Sequence, residues 1–318
     1  MYLCRHNVLM ISRRLVRIKT LQTLYSWKQS QEVPLTQFSK ELFERLTQVH
    51  ECYLFLLDFP YQLREFALAK QNFEKGKYYP SKEKTDHYSL LNGTKLLDQV
   101  HNQVLHAGHY GFNWSDSDNH IDRWYTDLKE YDFSKDYSIF FTPNEDQQKE
   151  FLENVYYAFL ETNEPFNNAI EDLYPVWFDD APYTVRDILK TFELSKSLDN
   201  LNIKPEIRAS DEEVVWASQM LKDTVVHNDI YEKLISEVTQ NWDPSRIAVM
   251  DLLILKMTLT EFLYCPEIPV RVTINEYLEI TKNYSTPNSS KFVNGIMDKL
   301  RIELESRGEI RKTGRGLK

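Results

Sequence analysis

Glycine is missing where a nucleotide-binding enzyme would need it. The chain holds 8 glycines in 318 residues, well under the ~7% of an average protein. Between residues 112 and 307 the only one is Gly295. A glycine-rich turn that lays backbone N–H groups against a phosphate cannot be built over that stretch. Strand alternation is sustained nowhere. Apolar residues recur instead every three or four positions, the period of one helix face. The expected fold class is therefore all-α, with 42% apolar and 13% aromatic residues to fill about two domains by the ~150-residue prior.

The period predicts a first helix carrying Leu15, Ile18, Leu21, Leu24 and Tyr25, with Ser12 as its N-cap. Residues 35–75 read as helical with a break or kink at Pro60. A helix over 94–106 leads into a polar, aromatic segment, 108–122, that reads as an ordered loop. Helices follow over 146–162, 165–178, 183–198, 211–227, 229–241, 244–264, 273–284 and 289–306. The run Ile247 to Tyr264 is apolar on nearly all sides, as a central buried helix would be. Thr273 and Glu276 have capping-box spacing at the start of the next helix, and Ser289 can cap the last. Gly295 lies inside that last helix at a cost of ~1 kcal/mol, so close approach by another helix or by a ligand is the expected compensation.

Charge is distributed unevenly. Residues 1–31 carry six basic residues and no acid, residues 306–318 carry net +4, and the total of −10 leaves −20 for the rest. Two basic ends on an acidic body suggest a localised anion-binding surface, against the simpler reading of solvated termini. Arg13, Arg14 and Arg17 are spaced to share one patch near the N-terminus of the first helix. There the helix dipole opposes them and favours a bound phosphate. The cysteines (Cys4, Cys52, Cys265) are odd in number and far apart, so no disulfide framework or paired-cysteine zinc site is expected. His101, His106, His109 and His120 with Asp116, Asp118 and Asp122 are the densest ligand-type cluster, read as a polar surface loop and not a metal site. Ile121 and Asp127 stand where a calcium loop needs glycine and glutamate. No catalytic triad spacing, cofactor motif, signal peptide or membrane span is recognised, so a cytoplasmic protein that is not an enzyme is expected. Met10, just before the basic helix, is expected as an alternative start of translation to Met1.

Two blocks resemble the NusB family of transcription antitermination factors. The first is Arg13-Arg14 with Arg17, followed by Leu21-Gln22-Thr23-Leu24-Tyr25-Ser26-Trp27. The second runs from about Met220 to Leu300, above all Val270-Arg271-Val272-Thr273-Ile274-Asn275-Glu276-Tyr277 and Lys291-Phe292-Val293-Asn294-Gly295-Ile296-Met297-Asp298-Lys299. The resemblance implies a helical RNA-binding protein that acts with NusE, a small-subunit ribosomal protein, on boxA-type elements of nascent ribosomal RNA, and so on the RNA polymerase elongation complex. It implies RNA contacts from Arg13, Arg14, Arg17, Gln22, Asn288, Ser289, Lys291 and Phe292, and partner contacts from Tyr25 and Asp251. On that view the NusB-like domain comprises residues 1–33 and 211–306. It is interrupted by a large helical insertion, 34–210, and followed by a basic tail, 307–318. The acidic, aromatic insertion is expected to dock protein and not a second RNA. A ribosomal RNA maturation or assembly scaffold remains open, as does a methyltransferase-related protein. Arg13→Ala or Arg17→Ala is expected to weaken RNA binding with little change in melting temperature.

Overall fold

The computed structural model describes residues 11–30, 33–111, 114, 118–138, 143–195, 201–239, 247–286 and 289–313. Among these the fold is all-α, with fifteen α-helices and no strand. The chain folds into two compact units, one of residues 47–207 and one of residues 11–46 and 208–318. The first division falls inside a continuous helix, α2 (Leu35–Leu57), so hydrophobic period alone gives no sign of it.

The 47–207 unit comprises the second half of α2 and helices α3 (Phe59–Lys75), α4 (Lys82–His87), α5 (Leu96–Ala107), α6 (Asp118–Glu130), α7 (Asp132–Tyr137), α8 (Glu145–Tyr157), α9 (Glu164–Leu173) and α10 (Trp177–Glu193). Pro60 sits in the first turn of α3, where a missing N–H costs nothing, and this separates α3 from α2. The core is aromatic. Phe59 meets the rings of Trp124, Phe159 and Phe166 at centroid distances of 5.9, 5.0 and 4.7 Å. Beside it Asp58 is fully buried and accepts from Tyr110 OH at 2.8 Å and Gln62 Nε2 at 2.6 Å, with His101 Nδ1 at 2.8 Å. Donors on three sides make a buried carboxylate tolerable. The expected gap between helices over 165–178 and 183–198 is not found at those positions. Helix α9 ends before Pro175, and α10 runs through Pro182. The segment expected as loop, 108–122, passes into α6 at Asp118.

The second unit holds α1 (Arg13–Gln29), the first half of α2, α11 (Glu212–Val226), α12 (Asn228–Val238), α13 (Val249–Tyr264), α14 (Val270–Tyr284) and α15 (Ser289–Ser306). Ser12 caps α1, its Oγ accepting from Leu15 N at 3.2 Å. Helix α13 is the centre, buried continuously from Leu253 to Phe262 and packed against α1, α11, α12, α14 and α15. Two of its charged residues, Lys256 and Glu261, are neutralised in place. Lys256 reaches Asn228 Oδ1 at 2.5 Å and Glu232 Oε1 at 2.6 Å. Glu261 takes Arg17, whose Nε and Nη2 donate to its two oxygens at 2.8 and 2.7 Å. Thr273 and Tyr277 of α14 donate to the same carboxylate at 2.7 and 3.3 Å. Helix α14 therefore begins at Val270, earlier than the capping-box spacing suggested, because Thr273 faces the core instead of capping.

Helix α15 ends in a Schellman turn. Gly308 adopts φ +66°, and Gly308 N and Glu309 N donate to Glu305 O and Leu304 O, each at 3.0 Å. The tail then returns to α13, where Lys312 Nζ donates to the carbonyls of Glu261 and Cys265 at 2.7 and 2.9 Å. A lysine at a helix C-terminus is favoured by the dipole. Lys312 is thus a helix cap, and Arg307 pairs with Glu303 and Glu237.

Cutting one partner from a buried pair strands the other, at about 3–5 kcal/mol. Arg17→Ala should therefore destabilise the protein by about 3–5 kcal/mol in urea unfolding, the reverse of the silent substitution expected from sequence. The double variant Arg17→Met/Glu261→Leu should recover part of the loss.

Candidate nucleic-acid interface

The first turns of α1 and α15 hold the basic residues that sequence singled out. Their partners differ. Arg14 donates through Nε and Nη2 to Glu276 of α14, both at 2.8 Å. Arg13 is exposed, its guanidinium carbon 5.7 Å from the centre of the Trp216 ring. Arg17 is 2% exposed, held by Glu261 and stacked 5.1 Å from Trp216. Burial opposes the charge of Arg17, but the Glu261 hydrogen bonds outweigh it and hold the guanidinium firmly charged. The Arg14 hydrogen bonds hold Glu276 below its ordinary carboxylate range against the opposing effect of partial burial.

Two grooves flank the start of α15. One, of about 590 Å³, is lined by Arg14, Asn275, Glu279, Lys282, Ser290 and Lys291 among others. The other, of about 630 Å³, lies between the end of α12 and α15 and includes Val238, Lys291, Phe292, Gly295 and Lys299. Lys291 is exposed on the rim of both and has no hydrogen bond or ion pair among the described residues. Phe292 is half-buried. No neighbouring helix closes over Gly295, since a Cβ there would meet nothing within 4 Å. The expected approach of another helix is not found, and an open groove borders the glycine instead.

Residues 190–301 match the NusB family model. The chain is 38% identical over 102 residues to the transcription antitermination protein NusB of Salinibacter ruber, covering 32% of this chain and 64% of that protein. It is 33% identical over 128 residues to the protein of that name in Chloroherpeton thalassium, covering 40% and 59%. It is 41% identical over 88 residues to the one in Thermodesulfovibrio yellowstonii, covering 28% and 58%. The likeness to the NusB family thus lies in the C-terminal region of this chain. It spans about three fifths of the length of these curated relatives. No solved structure matches it.

The NusB-family match takes in Asp251, Ser289, Lys291 and Phe292 and leaves Arg13, Arg14, Arg17, Gln22 and Tyr25 outside it. Arg14 and Lys291 share a groove, while Arg13 borders a separate cavity of about 260 Å³ with Trp216 and Cys265. The three arginines therefore do not form one phosphate-gripping patch, and Arg17, expected at the RNA surface, is a core group. Asp251 is also displaced from its expected role. It is 4% exposed in the first turn of α13, where the helix dipole favours its charge. Ser289 is buried as the first residue of α15 rather than its cap, its Oγ bonded to Ser285 and Thr286. Tyr25 is 42% exposed and Gln22 half-buried further along α1, and neither lines these grooves. Asn288, Asp116 and Met10 lie outside the described residues.

Among the described residues no three His, Cys, Asp or Glu are grouped as a metal site. His101 serves Asp58, His106 bonds Asn102 O, and His120 stacks on Trp124. Nor is any described helix long and apolar enough to cross a membrane. Sequence reasoning missed Glu261, although a glutamate amid the apolar run of α13 signals a buried cation by itself.

Two outcomes are expected. Gly295→Ala, with open space around it, should stabilise the protein by about 0.5–1 kcal/mol in thermal unfolding. Because the folded-state value of Glu276 is lowered, its contribution is complete above the ordinary value of 4.5 and lost as pH falls through the lowered one. The melting temperature of wild type should consequently drop more steeply below about pH 4.5 than that of Glu276→Gln.

Proposed function

We propose that this protein is an RNA-binding antitermination factor that acts without catalysis. With NusE it grips boxA-type RNA as the RNA emerges and tethers it to the elongating polymerase. The observation that carries this reading is the first turn of α15 within the NusB-family match. There Lys291 presents an unpaired charge between two grooves and Phe292 supplies an aromatic face. Single-stranded RNA is held by that combination, a cation on the phosphate and a ring beneath a base. The helix N-terminus adds its own positive pole. Arg13 contributes an exposed charge on the neighbouring helix, and Arg14 one that is shared with Glu276. Arg17 acts indirectly, by holding α1 against α13 and α14.

The test is fluorescence anisotropy of a labelled boxA-type RNA, with and without NusE, at about 50 and about 200 mM salt. Affinity should rise with NusE and fall with salt. Lys291→Ala should weaken binding, lower the salt slope by about 0.7 and leave the melting temperature unchanged. Absence of binding under all conditions would overturn the reading.

A further inference from the structure

The 47–207 unit is acidic, with 15 Lys and Arg against 28 Asp and Glu. Five of those 15 basic residues, Lys70, Lys75, Lys77, Lys82 and Lys84, fall within fifteen positions around the end of α3 and the start of α4. All five are exposed. Interleaved with them are the most exposed aromatic side chains among the described residues, Phe73 at 70%, Tyr78 at 90% and Tyr79 at 84%. Other exposed rings, Tyr25, Tyr157, Phe178 and Tyr264 at 42 to 58%, are far apart in the sequence, whereas these three fall within seven positions. Exposed apolar surface concentrated in this way marks a binding site.

The turn between the helices has a defined form. Gly76 N donates to Asn72 O at 3.0 Å and Lys77 N to Glu74 O at 3.2 Å. The Glu74 carboxylate is drawn beneath the turn, where it accepts from Ser81 N at 3.1 Å and from Lys77 Nζ at 2.5 Å. Its charge is thus removed from the surface, leaving Glu83 and Asp86 as the exposed acids nearby. Lys77 also lies 5.1 Å over the Phe73 ring, and the Tyr78 and Tyr79 rings meet edge to face at 4.8 Å. Lys82 and Lys84 make no side-chain hydrogen bond or ion pair among the described residues, and Lys75 Nζ donates to Gln71 Oε1 at 2.9 Å.

We propose that this corner is a second, sequence-tolerant site for single-stranded RNA, in which Phe73, Tyr78 and Tyr79 stack on bases while Lys75, Lys82 and Lys84 hold phosphates. Aromatic rings among cations on an otherwise acidic unit fit a polyanion that also has flat apolar faces. A purely apolar protein surface would leave the lysines without partners, and a purely charged one would leave the rings in water. The inference rests on the antitermination reading only for the origin of the RNA, a transcript long enough to touch more than one place. It revises, for this corner, the expectation that the insertion docks protein alone.

The test uses the full chain and a fluorescein-labelled 20-nucleotide oligouridine. The triple variant Phe73→Ala/Tyr78→Ala/Tyr79→Ala should lose at least about 5-fold in affinity, the loss of one stacked base, without a change in melting temperature, since all three rings are exposed. Lys75→Ala/Lys82→Ala/Lys84→Ala should reduce the salt slope by about 2. Ultraviolet crosslinking should mark the tryptic peptide from Tyr78 to Lys82. Unchanged affinity in both variants would overturn the proposal. So would binding of anionic phosphatidylglycerol vesicles, but not of oligouridine, by wild type. The two RNA readings separate through Lys291→Ala. Oligouridine binding that survives it and is lost in the aromatic variant supports this site even if boxA-type RNA is not bound. Loss in Lys291→Ala alone assigns RNA to α15 and rejects this site.

Discussion

The 11–46 and 208–318 unit turns on one buried contact, the fork of Arg17 on the carboxylate of Glu261. It joins residues 244 positions apart, and it does so in the middle of the most buried helix. A buried ion pair gives little net stability over a well-packed apolar pair. It does constrain arrangement, because the guanidinium has only one place where both of its hydrogen bonds and both stacking rings are available. Trp216 of α11 lies on one side, Tyr277 of α14 on the other, and Glu276 at 3.8 Å completes the surround. Four helices are therefore set by one side chain. The positions of Arg13 and Arg14 at the surface follow from where Arg17 is fixed one turn below them.

That dependence explains which parts of the chain were legible in sequence. The fold class and most helices followed from period alone, and α13 from its lack of polar faces. Failures arose where a polar residue had a distant partner. Thr273 and Glu276 have the spacing of a local cap, yet one serves Glu261 and the other Arg14. Ser289 has the identity of a cap and instead bonds to the preceding turn. The gap expected between 178 and 183 lies within α10, which runs through Pro182, and α9 ends before Pro175. Local spacing cannot report a contact made across the unit, so every such misreading favoured the nearer partner.

The site residues show the same limit. Spacing on α1 correctly placed three arginines near one helix end but could not tell that one of them would be consumed by the core. Lys291 and Phe292 remained accessible because the first turn of α15 borders grooves on both sides. Gly295 belongs to this account. Its missing side chain lowers helix stability without letting another helix approach, so its effect is to keep a groove open.

Net charge is a poor guide to where an acidic protein can meet a polyanion. At physiological ionic strength exposed charges are screened beyond about 8 Å, so an acidic body repels a polyanion only where its carboxylates reach the contact surface. Both cation-bearing corners withdraw part of their acidic charge in this way, although Glu279 lines the α15 groove and Glu83 and Asp86 are exposed near the end of α3. At α1 and α15 the acids Glu261 and Glu276 are turned inward onto arginines, and at the end of α3 Glu74 is folded under its own turn. In each case the acid has a structural partner, arginine side chains for Glu261 and Glu276 and the Ser81 N–H with Lys77 for Glu74. What decides the surface potential is therefore which carboxylates have structural partners, and that is a property of the fold and not of composition.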